Sequence, residues 1–169
     1  MNTSNTDIAA LAQRVGEALL ARGWRLATAE SCTGGGIAAA LTDIAGSSQW
    51  FERGFVTYSN EAKQEMLGVS AATLSRHGAV SEATVREMVM GALAQSRAEM
   101  AVAVSGIAGP SGGTADKPVG LVCLAWLVAG TEPVVRTAHF SGDRAAVRAQ
   151  TVRSALHGVL ELLDDQAPA

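Results

Sequence analysis

The sequence predicts an α/β fold, with a mixed, mainly parallel sheet of about five strands held between layers of helices. Three observations predict it. Helix-period and strand-like runs alternate as far as Val104. The last two strand-like runs are joined by Ala129-Gly130-Thr131-Glu132-Pro133, a link suited to an antiparallel hairpin. Apolar residues make up 48% and charged residues 17% of a chain of 169, enough to bury a substantial core.

The elements follow in order. Ile8, Leu11, Val15 and Leu19 recur at helical spacing before Gly23, which predicts a first helix over 7–22. Trp24 to Glu30 is a short apolar run read as a strand, and Gly36 to Ala45 reads as the helix after it. Phe51 to Ser59 is the second strand, favoured by Phe55, Val56 and Tyr58. Asn60 is the expected N-cap of a helix from Glu61 to Leu67, with a second short helix over Ala71 to Arg76. Ser81 caps a longer helix whose buried stripe is Val85, Met88, Val89, Ala92 and Leu93. Met100 to Val104 is a small-apolar run typical of a strand buried on both faces. Ser105 to Pro118 reads as a long glycine-rich loop, and Val119 to Val128 and Val134 to Phe140 as the hairpin strands. Ser141 or Asp143 caps a final helix running to about Leu163 on a Val152/Leu156/Val159/Leu163 stripe, and Asp164 to Ala169 is expected to fray.

Composition excludes several function classes. The net charge of −3 argues against a general nucleic-acid surface. Cys32 and Cys123 lie far apart without metal-ligand spacing, so neither a zinc site nor a disulfide framework is expected. No apolar run is long enough to span a bilayer, and Met1 to Asp7 lacks a signal pattern. A soluble cytoplasmic protein without metal or cofactor is expected, with no nucleic-acid or membrane partner, as a homo-oligomer.

The stretch Thr28-Ala29-Glu30-Ser31-Cys32-Thr33-Gly34-Gly35-Gly36 carries the chemistry. It reads as strand, tight turn and helix start, so free N–H groups and the positive end of the helix dipole face whatever occupies the turn. Such a turn can hold a phosphate, or can stabilise an oxyanion beside a serine nucleophile. Ser31 is then the nucleophile, or merely an N-cap, with Thr33 and Gly34 N–H groups as the oxyanion donors. His77, His139 and His157 form no triad pattern, which leaves Lys63 as the base; alone, it would read as a solvated lysine. If the first two strands are parallel, Ser31, Tyr58 and Lys63 converge at one end of the sheet, where open α/β sheets bind ligands. Cys32 is a rival nucleophile, since a thiol at a helix N-terminus can ionise more easily; a buried, inert thiol is the alternative.

The loop from Ser105 to Thr114 would reach the same cleft, with Ser105, Gly106, Gly109, Gly113 and Thr114 as substrate-binding candidates. Arg144 and Arg148 open the last helix, and Arg148 lies roughly 50° from the centre of its apolar stripe. A ligand phosphate or an acidic side chain would account for either arginine.

The motif series Ala29-Glu30-Ser31-Cys32-Thr33-Gly34-Gly35, Gly54 to Tyr58 with Lys63, Ser105 to Thr114, and Lys117-Pro118-Val119-Gly120 resembles the CinA C-terminal domain family. The resemblance runs from about Ile8 to Leu163. It implies one three-layer α/β/α domain over 1–169, in the stand-alone form of the family. It also implies hydrolysis of nicotinamide mononucleotide to nicotinate mononucleotide and ammonia without a metal. The family's serine nucleophile and its assisting tyrosine and lysine fall on Ser31, Tyr58 and Lys63. A non-catalytic nucleotide-binding module of the same fold, and an amidase acting through Cys32, remain the competing expectations.

Overall fold

A computed structural model describes residues 3–165 of the chain. Its elements are α1 (Thr3–Arg22), β1 (Leu26–Glu30), α2 (Gly36–Thr42), a single 3-10 turn at Ser47–Gln49, β2 (Phe51–Val56), α3 (Asn60–Leu67) and α4 (Ala71–His77). These are followed by α5 (Glu82–Ala94), β3 (Met100–Gly106), β4 (Leu121–Val128), β5 (Val134–His139) and α6 (Arg144–Asp165).

The five strands lie in the order β2-β1-β3-β4-β5. β1 pairs parallel to both β2 and β3, while β4 runs antiparallel to β3 and β5. Four strands therefore point one way and β4 alone points back, so the expected mixed, mainly parallel sheet is present. The turns after β1, β2 and β3 all leave the same end of it. Parallel strands need crossover helices on the faces, and the three central strands β1, β3 and β4 are accordingly buried on both faces, while the edge strands β2 and β5 are partly exposed.

Side-chain alternation splits the core into two layers. Leu26, Met100, Val102 and Val104 face α1, α2 and α6, packing with Leu11, Val15, Ile37, Val152 and Leu156. Ala27, Ala29, Ala101 and Ala103 face α3, α4 and α5, packing with Leu67, Leu74, Val85, Met88 and Val89. Fully burying a side chain of the Val, Leu or Met type contributes about 1.5–3 kcal/mol. The alanines let the second layer approach closely. At Gly91 of α5 an added Cβ would lie 1.9 Å from the Leu67 carbonyl oxygen at the end of α3, so only glycine permits this contact.

Several boundaries differ from the expectations. The N-cap of α3 is Ser59, whose hydroxyl accepts from the Ala62 N–H; Asn60 is already helical. Ser105 and Gly106 are not loop residues but the last two positions of β3, paired with Cys123 and Val122. Asp143, not Ser141, caps α6 by accepting from the Ala146 N–H. Asp164 and Asp165 continue that helix, and the rest of the expected frayed tail lies outside the described residues.

Candidate active site

The site begins where β1 ends. Glu30 and Ser31 are consecutive, so they face opposite layers. The buried Glu30 carboxylate turns toward α2 and accepts from Thr33 Oγ1 (2.6 Å), Ile37 N–H (2.8 Å) and Ala38 N–H (3.0 Å). The residue at the N-cap position, Gly35, has no side chain to offer, and Glu30 supplies the missing acceptor from the preceding strand. Gly34 and Gly35 have φ of +60° and +96°, so the turn takes a left-handed path that other residues resist.

Ser31 faces the other layer, where Lys63 of α3 meets it. Lys63 Nζ lies 3.1 Å from Ser31 Oγ, 2.8 Å from the Thr57 carbonyl oxygen and 3.4 Å from the Tyr58 carbonyl oxygen. Lys63 is fully buried, contrary to the reading of a solvated helix lysine. Burial pushes its pKa below the ordinary 10.5, with a small opposing pull from Cys32. A neutral amine has two N–H groups and one lone pair. As the ammonium, Lys63 Nζ donates to all three oxygens; once neutral, with the two carbonyls taking its N–H groups, its lone pair would face the Ser31 hydroxyl.

Cys32 turns toward α1, α2 and α6, away from the lysine. Burial raises its pKa to about 11, which keeps it a thiol near neutral pH. The expected pair of oxyanion donors is only half free. Gly34 N–H donates to Ser31 O at 3.0 Å, closing the turn, and so is already used. Among the described residues the N–H groups of Thr33 and Gly35 donate to no carbonyl.

Tyr58 contributes its carbonyl to Lys63, but its hydroxyl looks elsewhere. It accepts from Arg144 Nη2 at 3.0 Å, and the residue is 59% exposed. Arg144 also donates to the Gly109 carbonyl at 2.9 Å. Arg148 Nη2 donates to the Thr33 carbonyl at 3.0 Å. Among the described residues neither arginine pairs with a carboxylate. The two line a cleft of about 630 Å³ with Ala108, Pro110, Val119 and Gly142. A second cleft, of about 450 Å³, lies behind the turn between α1, α2 and α6, and Thr33 and Arg148 line it too.

The other loop candidates stand apart. Ser105 Oγ donates to the Ala79 carbonyl. Gly106 lies so close to β4 that a Cβ would sit 2.6 Å from Val122. Gly113 backs onto Val119, and Thr114 is bound to Lys117. Of these five candidates, only Gly109 touches a residue of the cleft by a hydrogen bond. Glu30 and Thr57, conversely, belong to the site and were not among its expected residues.

The family model for the CinA C-terminal domain matches residues 8–163. The chain belongs to the CinA C-terminal domain family. Its relatives include the nicotinamide-nucleotide amidohydrolase PncC of Escherichia coli K12, 57% identical over 153 residues that cover 90% of this chain and 93% of that protein. A protein of the same name from Pseudomonas putida is 54% identical over 155 residues, 92% of this chain and 96% of that one. Among solved structures, the competence/damage inducible protein CihA from Agrobacterium tumefaciens superposes with a TM-score of 0.91 at 50% identity, covering 94% of this chain and 96% of that one. The motifs that suggested the CinA family thus sit within a match that spans both layers of the fold.

Proposed function

We propose that the chain hydrolyses the carboxamide of nicotinamide mononucleotide, giving nicotinate mononucleotide and ammonia, in the salvage of pyridine nucleotides. The observation that carries this reading is the buried Ser31–Lys63 contact of 3.1 Å beside a glycine turn. The names of the PncC relatives point to the same bond.

Ser31 Oγ attacks the carboxamide carbon while its proton passes to neutral Lys63. Thr33 N–H stabilises the oxyanion, an effect of about 3 kcal/mol for a well-placed donor. Lys63 returns the proton to the departing nitrogen, which leaves as ammonia, and water then hydrolyses the acyl-enzyme through the same base. The positive pyridinium ring makes the carboxamide more electrophilic. Arg144 and Arg148 bind the phosphate, with Tyr58 holding Arg144 at the rim. The assistance expected of Tyr58 is then to substrate binding, because its hydroxyl accepts from Arg144.

The test is ammonia release from nicotinamide mononucleotide by the purified protein and by Ser31→Ala. Release by the wild type and none by Ser31→Ala is the expected result. Binding without release would make the protein a nucleotide-binding module.

A further inference from the structure

Two fully buried threonines, Thr28 and Thr57, have hydroxyls without a hydrogen-bond partner among the described residues. A buried polar atom left unpaired calls for an explanation, and an ordered water is the common one. Thr28 lies on the far face of the sheet from the lysine, beside Gly54. Thr57 lies next to the Ser31–Lys63 pair.

Strand register fixes this placement. Glu30 pairs with Val56 in the parallel β1–β2 ladder, and the ladder continues one step, with Thr57 N–H donating to Glu30 O at 2.9 Å. Ser31 and Thr57 are therefore neighbours across the two strands. Ala29 and Phe55, two residues earlier, both pack into the layer of α3, α4 and α5, so Ser31 and Thr57 emerge on that face as well. Lys63 descends from α3 between them, bonded to Ser31 Oγ and to the Thr57 carbonyl.

We infer that Thr57 is a positioning residue for the water that hydrolyses the acyl-enzyme, an inference that rests on the serine-nucleophile reading above. The water gives one O–H to the Lys63 lone pair and the other to Thr57 Oγ1, leaving an oxygen lone pair for the acyl carbon. As the new C–O bond forms, Lys63 takes the water's proton. When the C–Oγ bond breaks, Lys63 returns that proton to Ser31, and the product leaves as the carboxylic acid. No group in acylation needs this hydroxyl, so its loss falls on the second half of the reaction alone.

The experiment compares wild type, Thr57→Val and Thr57→Ser with nicotinamide mononucleotide and, separately, with p-nitrophenyl acetate, an ester that acylates a reactive serine whatever the natural substrate. Thr57→Val should lower kcat and KM together by roughly ten- to a hundred-fold, leaving kcat/KM within about twofold, because slow deacylation traps the intermediate. With the ester it should keep the nitrophenolate burst and slow the steady rate, with acetyl-Ser31 visible by mass spectrometry after acid quench. Thr57→Ser, which keeps the hydroxyl, should restore turnover. An unchanged kcat in Thr57→Val, a fall in kcat/KM equal to that in kcat, or a wild type that forms no acetyl-Ser31 would overturn the inference. A slowed steady rate on the ester, with no ammonia from the nucleotide even in wild type, would support Thr57 while sinking the proposed substrate.

Discussion

The turn from Ser31 to Gly36 and the loop between β3 and β4 lead from the same end of the sheet, yet they are built differently. In the turn, Ser31, Cys32 and Thr33 are buried, and the Thr33 hydroxyl and carbonyl and the Gly34 N–H are all engaged. In the loop, residues 110–116 are exposed, and its hydrogen bond to the cleft is one carbonyl, that of Gly109. Groups that must hold a reacting atom within tenths of an ångström are fixed from both layers of the core. The rim, where the rest of a ligand would be held, is exposed. Substitutions in the first segment should therefore act on kcat, and those at the rim on KM.

The largest effect should come from the Ser31–Lys63 pair. Lys63→Arg keeps a cation that cannot deprotonate, so turnover should fall by about 10²–10⁴-fold or more, measured as ammonia release. In the wild type the rate should rise with pH along a limb whose midpoint lies below the ordinary lysine value of 10.5, since burial lowers the pKa of Lys63. A midpoint at or above that value would contradict a desolvated base.

Next comes Glu30, which anchors the turn from the opposite layer. Glu30→Gln replaces one of the two acceptor oxygens with a donor, so that one of the Ile37 and Ala38 N–H groups loses its partner, a loss of about 1.5–3 kcal/mol from stability. The prediction is a lower thermal midpoint, with kcat per folded molecule reduced roughly tenfold and KM nearly unchanged. A rise in KM at constant kcat would mean that the turn tolerates the change.

The two arginines sharpen the contrast, because they sit one helical turn apart and hold different segments. Arg144→Ala should raise KM about ten- to a hundred-fold with kcat preserved, as expected for a lost charged contact of about 1.5–3 kcal/mol. Arg148→Ala should raise KM and also lower kcat, since Arg148 fixes the Thr33 carbonyl. Identical profiles for the two variants would erase the distinction between turn and rim. The smallest effect belongs to Cys32. Cys32→Ala should keep activity within about twofold, because the thiol, with a pKa raised to about 11, packs in the other layer and stays un-ionised near neutral pH. Rapid inactivation by thiol alkylation would argue the reverse.

The order of the elements was legible because helix and strand periods alternate cleanly, and the common end of the three strands followed from their connections. Ser31 and Lys63 were legible because a lysine in the first turn of the helix after β2 must come near the turn after β1 once those strands are parallel. Other features left no local sign. Glu30 caps a helix from seven and eight residues away, outside any capping spacing, and the preceding strand pattern hides it. Ser59 and Asn60 are both good caps, and propensity cannot rank neighbours one residue apart. The Tyr58–Arg144 contact joins positions 86 residues apart. Ser105 and Gly106 looked like loop because serine and glycine punctuate turns, but pairing with β4 carries the strand through them.

The buried lysine also leaves a calorimetric trace. Between its lowered pKa in the fold and the ordinary 10.5, the unfolded chain carries a proton on Lys63 that the folded one lacks. Unfolding in that window takes up this proton from the buffer, so from this residue stability rises with pH, the sign that follows when the unfolded state binds more protons. The heat of unfolding should accordingly differ between buffers of high and low ionisation enthalpy at the same pH, and Lys63→Met should remove that share of the difference.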